Sequence, residues 1–122
     1  MGDSNNRSSA NQTLIEQWNG TQWNVVASPS VGPYDNYLNG VAVVSSNNIW
    51  AVGSFYNTAS FSQQALIEQW NGTQWNSVTS PTIMASDNVL NGVAAAPSSG
   101  IWGVGIYYNS LIGYQTLSEF RC

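Results

Sequence analysis

The chain has 122 residues, of which two are basic (Arg7 and Arg121) and six acidic, with no Lys and no His, for a net charge of −4. That length suits one small domain. The acidic balance argues against a nucleic-acid or anionic-membrane partner, because phosphate binding relies on Lys and Arg to displace counterions. Without His, a Ser-His-Asp or Cys-His nucleophile cannot be assembled, and the usual zinc ligand sets are missing.

The N-terminal stretch, residues 1–12, has no apolar signal core, and no apolar run in the chain approaches the roughly 18 residues of a membrane span. The sequence therefore reads as soluble. Its low charge and Asn/Ser/Thr-rich surface would suit a chain cut from a secreted parent, and the compartment stays open. Asn6, Asn11, Asn19 and Asn71 begin N-x-Ser/Thr triplets, which acquire meaning as glycosylation acceptors only in a secretory setting.

Thr13 to Trp18 alternates, with Leu14, Glu16 and Trp18 on one side and Ile15 and Gln17 on the other, which predicts a strand. Asn19-Gly20 follows, a dipeptide suited to a two-residue type I′ hairpin turn. Gln22 to Ala27 is the next strand, ended by Ser28-Pro29 because proline cannot donate to a ladder. After a polar connection containing Asp35-Asn36, Leu38 to Ser45 forms a strand of small apolar residues. Ser46-Asn47-Asn48 makes a tight turn, and Ile49 to Tyr56 forms an apolar, aromatic strand.

From residue 65 the pattern starts again. Leu14 to Asn24 recurs unchanged at Leu66 to Asn76. Aligning residues 13–57 with 65–109 at this 52-residue offset gives about 28 identities in 45 positions. A third copy begins at Thr116-Leu117-Ser118-Glu119 and lacks the tryptophans. The resulting organisation is an N-terminal segment (1–12), a half unit (13–28), a complete unit (38–81), a second half unit (88–109) and a partial strand (116–122). In order from the small-apolar strand outward, a unit's strands are designated A, B, C and D.

A four-stranded antiparallel meander of this length, repeated with fixed aromatics, is the pattern of a β-propeller blade. The sequence resembles the bacterial propeller repeats of the type WNG…W…SP…LNGVA…IWAVG, which are similar to Kelch-like blades, over about residues 13–109; the paired glycines typical of Kelch are missing. The resemblance implies an all-β fold in which Gly40-Val41-Ala42 lies near a propeller axis, and it says little about function.

Two blades cannot close a ring, since propellers typically use about four to eight. The expectation is therefore a non-enzymatic building block without cofactor or metal, its main partner being itself. Strands C and D of one chain would complete strands A and B of the next, and three or four chains would close a six- or eight-bladed ring. Leu14, Ile15, Trp18, Trp23, Ile101, Trp102 and Val104 would form that interface, with Trp18 and Trp23 buried between subunits as Trp70 and Trp75 are within one. The partial strand at 116–121 competes for the same place and is expected to lose to the neighbour's complete copy. Cys122 permits no internal disulfide.

The alternative is a lectin-like module. The D–A and B–C loops differ most between the units and are rich in Tyr and Asn, which suits a carbohydrate or peptide surface. Asp35, Asn36, Tyr56, Asp87, Asn88 and Tyr108 are its candidate ligand residues. The Asp-Asn pairs are too few for a calcium loop and suit turn capping. Glu16 and Glu68 are not a hydrolase's carboxylate pair, because they are equivalent residues of successive units. The expectation for them is structural, with the carboxylate bonded to a backbone N–H or an indole.

Overall fold

The computed structural model describes residues 2–5, 11–30, 34–57, 62–78, 87–96, 100–109 and 113–121. The Asn6 triplet and Cys122 lie outside them. The described elements are all strands: β1 (Gly2–Asn5), β2 (Asn11–Trp18), β3 (Trp23–Val26), β4 (Asn36–Ser45), β5 (Asn48–Asn57), β6 (Ser62–Trp70), β7 (Trp75–Val78), β8 (Asp87–Ala96), β9 (Gly100–Asn109) and β10 (Gly113–Arg121). No helix is long and apolar enough to cross a membrane among the described residues.

The strands form three antiparallel sheets, ordered β1-β2-β3, β4-β5-β6-β7 and β8-β9-β10. The middle sheet is a complete meander. The first has a short strand β1 where the middle sheet has β5, with Gly2 opposite Leu14 and Asn5 opposite Asn11. Nothing in the sequence pattern marks β1. In the third sheet β10 starts at Gly113, three residues before the recognisable repeat, and pairs with β9 as far as Arg121. In the single chain the third-copy strand thus occupies the place that a neighbour's β2 would need.

The middle sheet buries both faces because successive side chains on a strand point to opposite sides. Ala51 of β5 joins Leu38, Leu66 and Ile15 of the first sheet in one core. Val52, the next residue, packs with Leu90 of the third sheet, flanked by Ile67, Val93 and Tyr107. On β6 the same alternation sends Leu66 toward the first sheet and Ile67 toward the third.

Adjacent sheets are also tied by a repeated polar latch. Asp35, just before β4, accepts a hydrogen bond from the Asn11 N–H of β2 at 2.8 Å. Asp87 of β8 accepts one from the Gln63 N–H of β6, again at 2.8 Å. Each carboxylate reaches from one sheet to the start of strand C in the sheet before it, satisfying a backbone donor there. At the other edge of the contact, Asn39 Nδ2 donates to the Leu90 carbonyl at 3.0 Å. Glycine permits this approach, since a Cβ on Gly40 would stand 3.3 Å from the Gly92 Cα.

The C–D turn departs from the expected type I′ hairpin. Trp18 pairs with Trp23, so the loop holds four residues, Asn19 to Gln22. Asn19 N–H donates to the Gln22 carbonyl, and Asn19 Oδ1 accepts from the N–H groups of Thr21 and Gln22. Gly20 takes φ of 104°, open to glycine and strained for other residues. Asn71 to Gln74 repeats the arrangement. The asparagine side chain does the work of a turn cap, which a count of strand and turn residues does not reveal.

Replacing Asp87 with Ala leaves the Gln63 N–H without its acceptor. The expected loss of stability is about 1–3 kcal/mol, with Asp87→Asn recovering part of it through its amide oxygen. Urea denaturation measures both; an Asp87→Ala chain as stable as wild type would mean the latch contributes nothing.

Candidate functional site

The first sheet is incomplete along one edge. Strand β1 covers β2 only from Asn11 to Leu14. Ile15 to Trp18 have no strand on that side among the described residues. In the middle sheet the equivalent Ile67 to Trp70 pair with Ile49 to Val52 of β5. The missing partner is thus the equivalent of Ile49–Val52, which is Ile101–Val104. Within the chain that stretch is held by Ser118 to Arg121 of β10.

Beside the open edge lies a cleft of about 360 Å³ between the first and second sheets, lined by Ile15, Val26, Val41, Val43, Ile49 and Trp70 among others. It exists because, among the described residues, the first sheet has no strand equivalent to β4 and only a stub in place of β5. Val41 shows the effect: it is exposed, whereas its equivalent Val93, facing a sheet with both strands, is half-buried. The sequence gives no sign that Val41 and Val43 line a cleft, since they read as ordinary core valines; only comparison of their exposure across equivalent positions reveals it.

The outer face of the third sheet exposes apolar side chains as well. Trp102 is 46 % exposed and Val104 50 %, while their equivalents in the middle sheet, Trp50 and Val52, are 5 % and 2 % exposed. Ile106 is exposed beside them. The same side chains in the same register are core in one sheet and surface in the next. Together these side chains form an apolar strip along that face of the third sheet.

Of the residues expected at a subunit interface, Trp18, Trp23, Trp102 and Val104 are exposed and Leu14 is half-buried. Ile15 and Ile101 are instead buried within the chain. Trp18 and Trp23 pack at 5.8 Å between ring centroids, and Trp70 and Trp75 at 6.0 Å, both tilted. Trp70 and Trp75 are only half-buried, since both pairs close the hairpin loop at the rim of their sheets.

On the loop face, the candidate ligand residues are largely engaged within the fold. Asp35 and Asp87 form the latches. Asn36 is buried and donates from Nδ2 to the Tyr34 carbonyl at 2.8 Å; Asn88 is buried as well. Tyr56 and Tyr108 are half-buried. Tyr56 donates its N–H to the Asp35 carbonyl and meets Tyr34 edge-on at 5.9 Å. Asn19 and Asn71 are occupied as turn caps. The described residues contain no cluster of His, Cys, Asp or Glu able to hold a metal.

Glu68 departs from expectation. It is fully buried, in register with Ala51 and Ser77, on the face of β6 turned toward the first sheet. Neither carboxyl oxygen has a hydrogen-bond partner, so the expected bond to a backbone N–H or indole is not made. Burial without a compensating partner penalises the charged form, pushing the carboxyl from 4.5 up to about 8. Glu68 is therefore a neutral acid at pH 7. Glu16, its equivalent, is exposed.

A raised acid contributes its full stability below the unfolded value of 4.5 and loses it as pH rises toward 8. Wild type should lose about 3 kcal/mol relative to a Glu68→Met variant between pH 4.5 and pH 7, at about 1.4 kcal/mol per unit. Urea denaturation of both proteins across that range measures it, and parallel curves would contradict a neutral, unpartnered Glu68. Compared with known proteins, the chain matches no family model and no curated protein, so its function is argued from this geometry.

Proposed function

We propose that this chain is a non-enzymatic β-propeller building block that assembles with copies of itself, head to tail, into a closed ring. The observation that carries the reading is the fit between what one end lacks and what the other presents. The open edge of β2 needs a strand equivalent to Ile49–Val52, and β9 supplies that sequence at Ile101–Val104. A second copy's β8 and β9, laid against β2 and β3, make one complete four-stranded blade. Its Val104 then reaches Leu38 and Val41, as Val52 reaches Leu90 and Val93 within the chain, and the cleft between the first two sheets is filled.

Strand β10 must leave β9 for this to happen, and β1 must leave β2. The exchange trades the ladder of β10 for that of β2 and gives up the pairing of β1 with β2, so backbone pairing does not favour it. Side chains do. β10 places Ser118 at the position that Ile15 fills, whereas β2 brings Ile15 with β3 attached. Burying the exposed halves of Trp102, Val104, Val41 and Val43 contributes roughly 1 kcal/mol each. Association costs about 4–15 kcal/mol in lost freedom, so one interface is marginal and a closed ring, with no free ends, is favoured over an open chain of copies. Each chain contributes two blades, which makes three or four chains the expected closures.

Light scattering coupled to size exclusion should give three or four times the chain mass. Val104→Asp places a charge in the completed core and should give single chains that keep their strand content by circular dichroism. Removing residues 113–122 frees β9 and should speed assembly. A well-folded wild-type monomer at micromolar concentration would refute self-assembly.

A further inference from the structure

The cleft between the first and middle sheets leaves open a polar group that the middle sheet engages. On β6 the Gln69 amide donates from Nε2 to Asn48 Oδ1 of β5 at 2.9 Å. Gln17 is the same residue of the repeat, 52 positions earlier, and β1 reaches only as far as Leu14. Among the described residues neither the Gln17 amide nor the Ser46 hydroxyl has a hydrogen-bond partner. Both line the cleft. The middle sheet contributes Trp70 and Trp75 to it, half-buried indoles with centroids 6.0 Å apart and planes inclined at 48°. A volume of about 360 Å³ is enough for a small ligand, whose sites span about 300–1,000 Å³.

We propose that this cleft binds a neutral saccharide, the C–H face of one pyranose lying on the Trp70–Trp75 pair and its hydroxyls bonded to the Gln17 amide and the Ser46 hydroxyl. The C–H groups of a sugar ring are apolar and bury against an indole face. An amide both donates and accepts, as the ring hydroxyls do. A purely apolar ligand would leave Gln17 and Ser46 unpaired. An anion would meet Glu16, the one ionisable side chain in the lining among the described residues, with no cation to offset it. Arg7 lies outside the described residues and Arg121 is on β10.

Neither of the other two sheets repeats this combination. Trp18 and Trp23 pair in the same way but stand 51 % and 64 % exposed, without a second wall among the described residues. In the third sheet, the registers of Gln69 and Trp70 hold Phe120 and Arg121. The site belongs to the single chain and does not depend on the ring. If the ring forms as proposed above, saccharide and second copy compete. That copy's Trp102 comes opposite Gln17, as Trp50 lies opposite Gln69, and takes the space. This competition alone rests on the self-assembly reading.

Tryptophan fluorescence of Val104→Asp, whose cleft is open whether or not wild type assembles, tests the site by titration with cellobiose, maltose, lactose, chitobiose and mannobiose. At least one should give a saturable change. In that background Gln17→Ala should weaken binding about fivefold and Trp75→Ala about tenfold. Trp23→Ala, the matched change on the exposed pair, should leave it unaltered. Gln17→Ala, at an exposed position, decides the matter if Trp75→Ala loses strand content by circular dichroism. Silence from all five disaccharides at millimolar concentration overturns the proposal. So does a response that Trp23→Ala weakens and Gln17→Ala leaves intact, since that is stacking on any exposed indole. The disaccharide that binds should shift wild type from rings to single chains in light scattering; rings unchanged by a saturating amount overturn the competition. Rings with no saccharide response leave self-assembly standing without this site. Binding by a wild type that stays a single chain keeps the site and refutes the ring.

Discussion

The structure depends on each sheet having a neighbour on both faces. Strand β5 makes this explicit in two consecutive residues: Ala51 is buried against the first sheet and Val52 against the third. A strand whose side chains are apolar on both faces is stable only when covered twice. The middle sheet meets that condition within the chain. The outer two do not, and their uncovered faces carry the same residue types at the same register. The exposure of Trp102 and Val104 is thus a consequence of position in the stack rather than of a different local sequence.

Polar groups reinforce the stacking in two distinct ways. The Asp35 and Asp87 latches place a charged acceptor on a backbone donor of the preceding sheet, fixing the sheets relative to each other at the loop end. Glu68 works in the opposite sense, because its carboxyl occupies the contact without any bond to repay its desolvation. Its burial weakens the contact as pH rises, whereas a methionine of similar size would not. Retaining glutamate at Glu68 is therefore a cost in stability, and it is the feature that makes the contact between the first and middle sheets sensitive to protons.

The two ends of the chain hide part of what they lack. β1 covers half of one exposed edge and β10 covers the other edge completely. Free edges invite pairing with any other chain, and these strands act as local covers. β10 repeats the register of strand C, with Leu117 opposite Gly105 as Leu66 is opposite Gly53, but it has Ser118 opposite Val104 where β6 has Ile67 opposite Val52. It is an adequate cover and an incomplete substitute.

Much of the fold was legible in the residues. The alternation in Thr13 to Trp18, the proline after Ser28 and the 52-residue offset predict short antiparallel strands and their sequence order, because strand periodicity and turn chemistry are local properties. Other features were not legible. The four-residue loop at Asn19 depends on which tryptophans pair across it, and β1 has no strand-like composition and forms only because β2 offers an edge. The latch role of Asp35 and Asp87 requires the preceding sheet to be in place, so from sequence they were indistinguishable from ligand residues. By itself, the sequence determined that equivalent residues occupy equivalent registers. Tertiary structure alone decided that Glu68 and Val52 are buried while Glu16 and Val104 are exposed, because burial depends on which neighbouring sheet is present to exclude water.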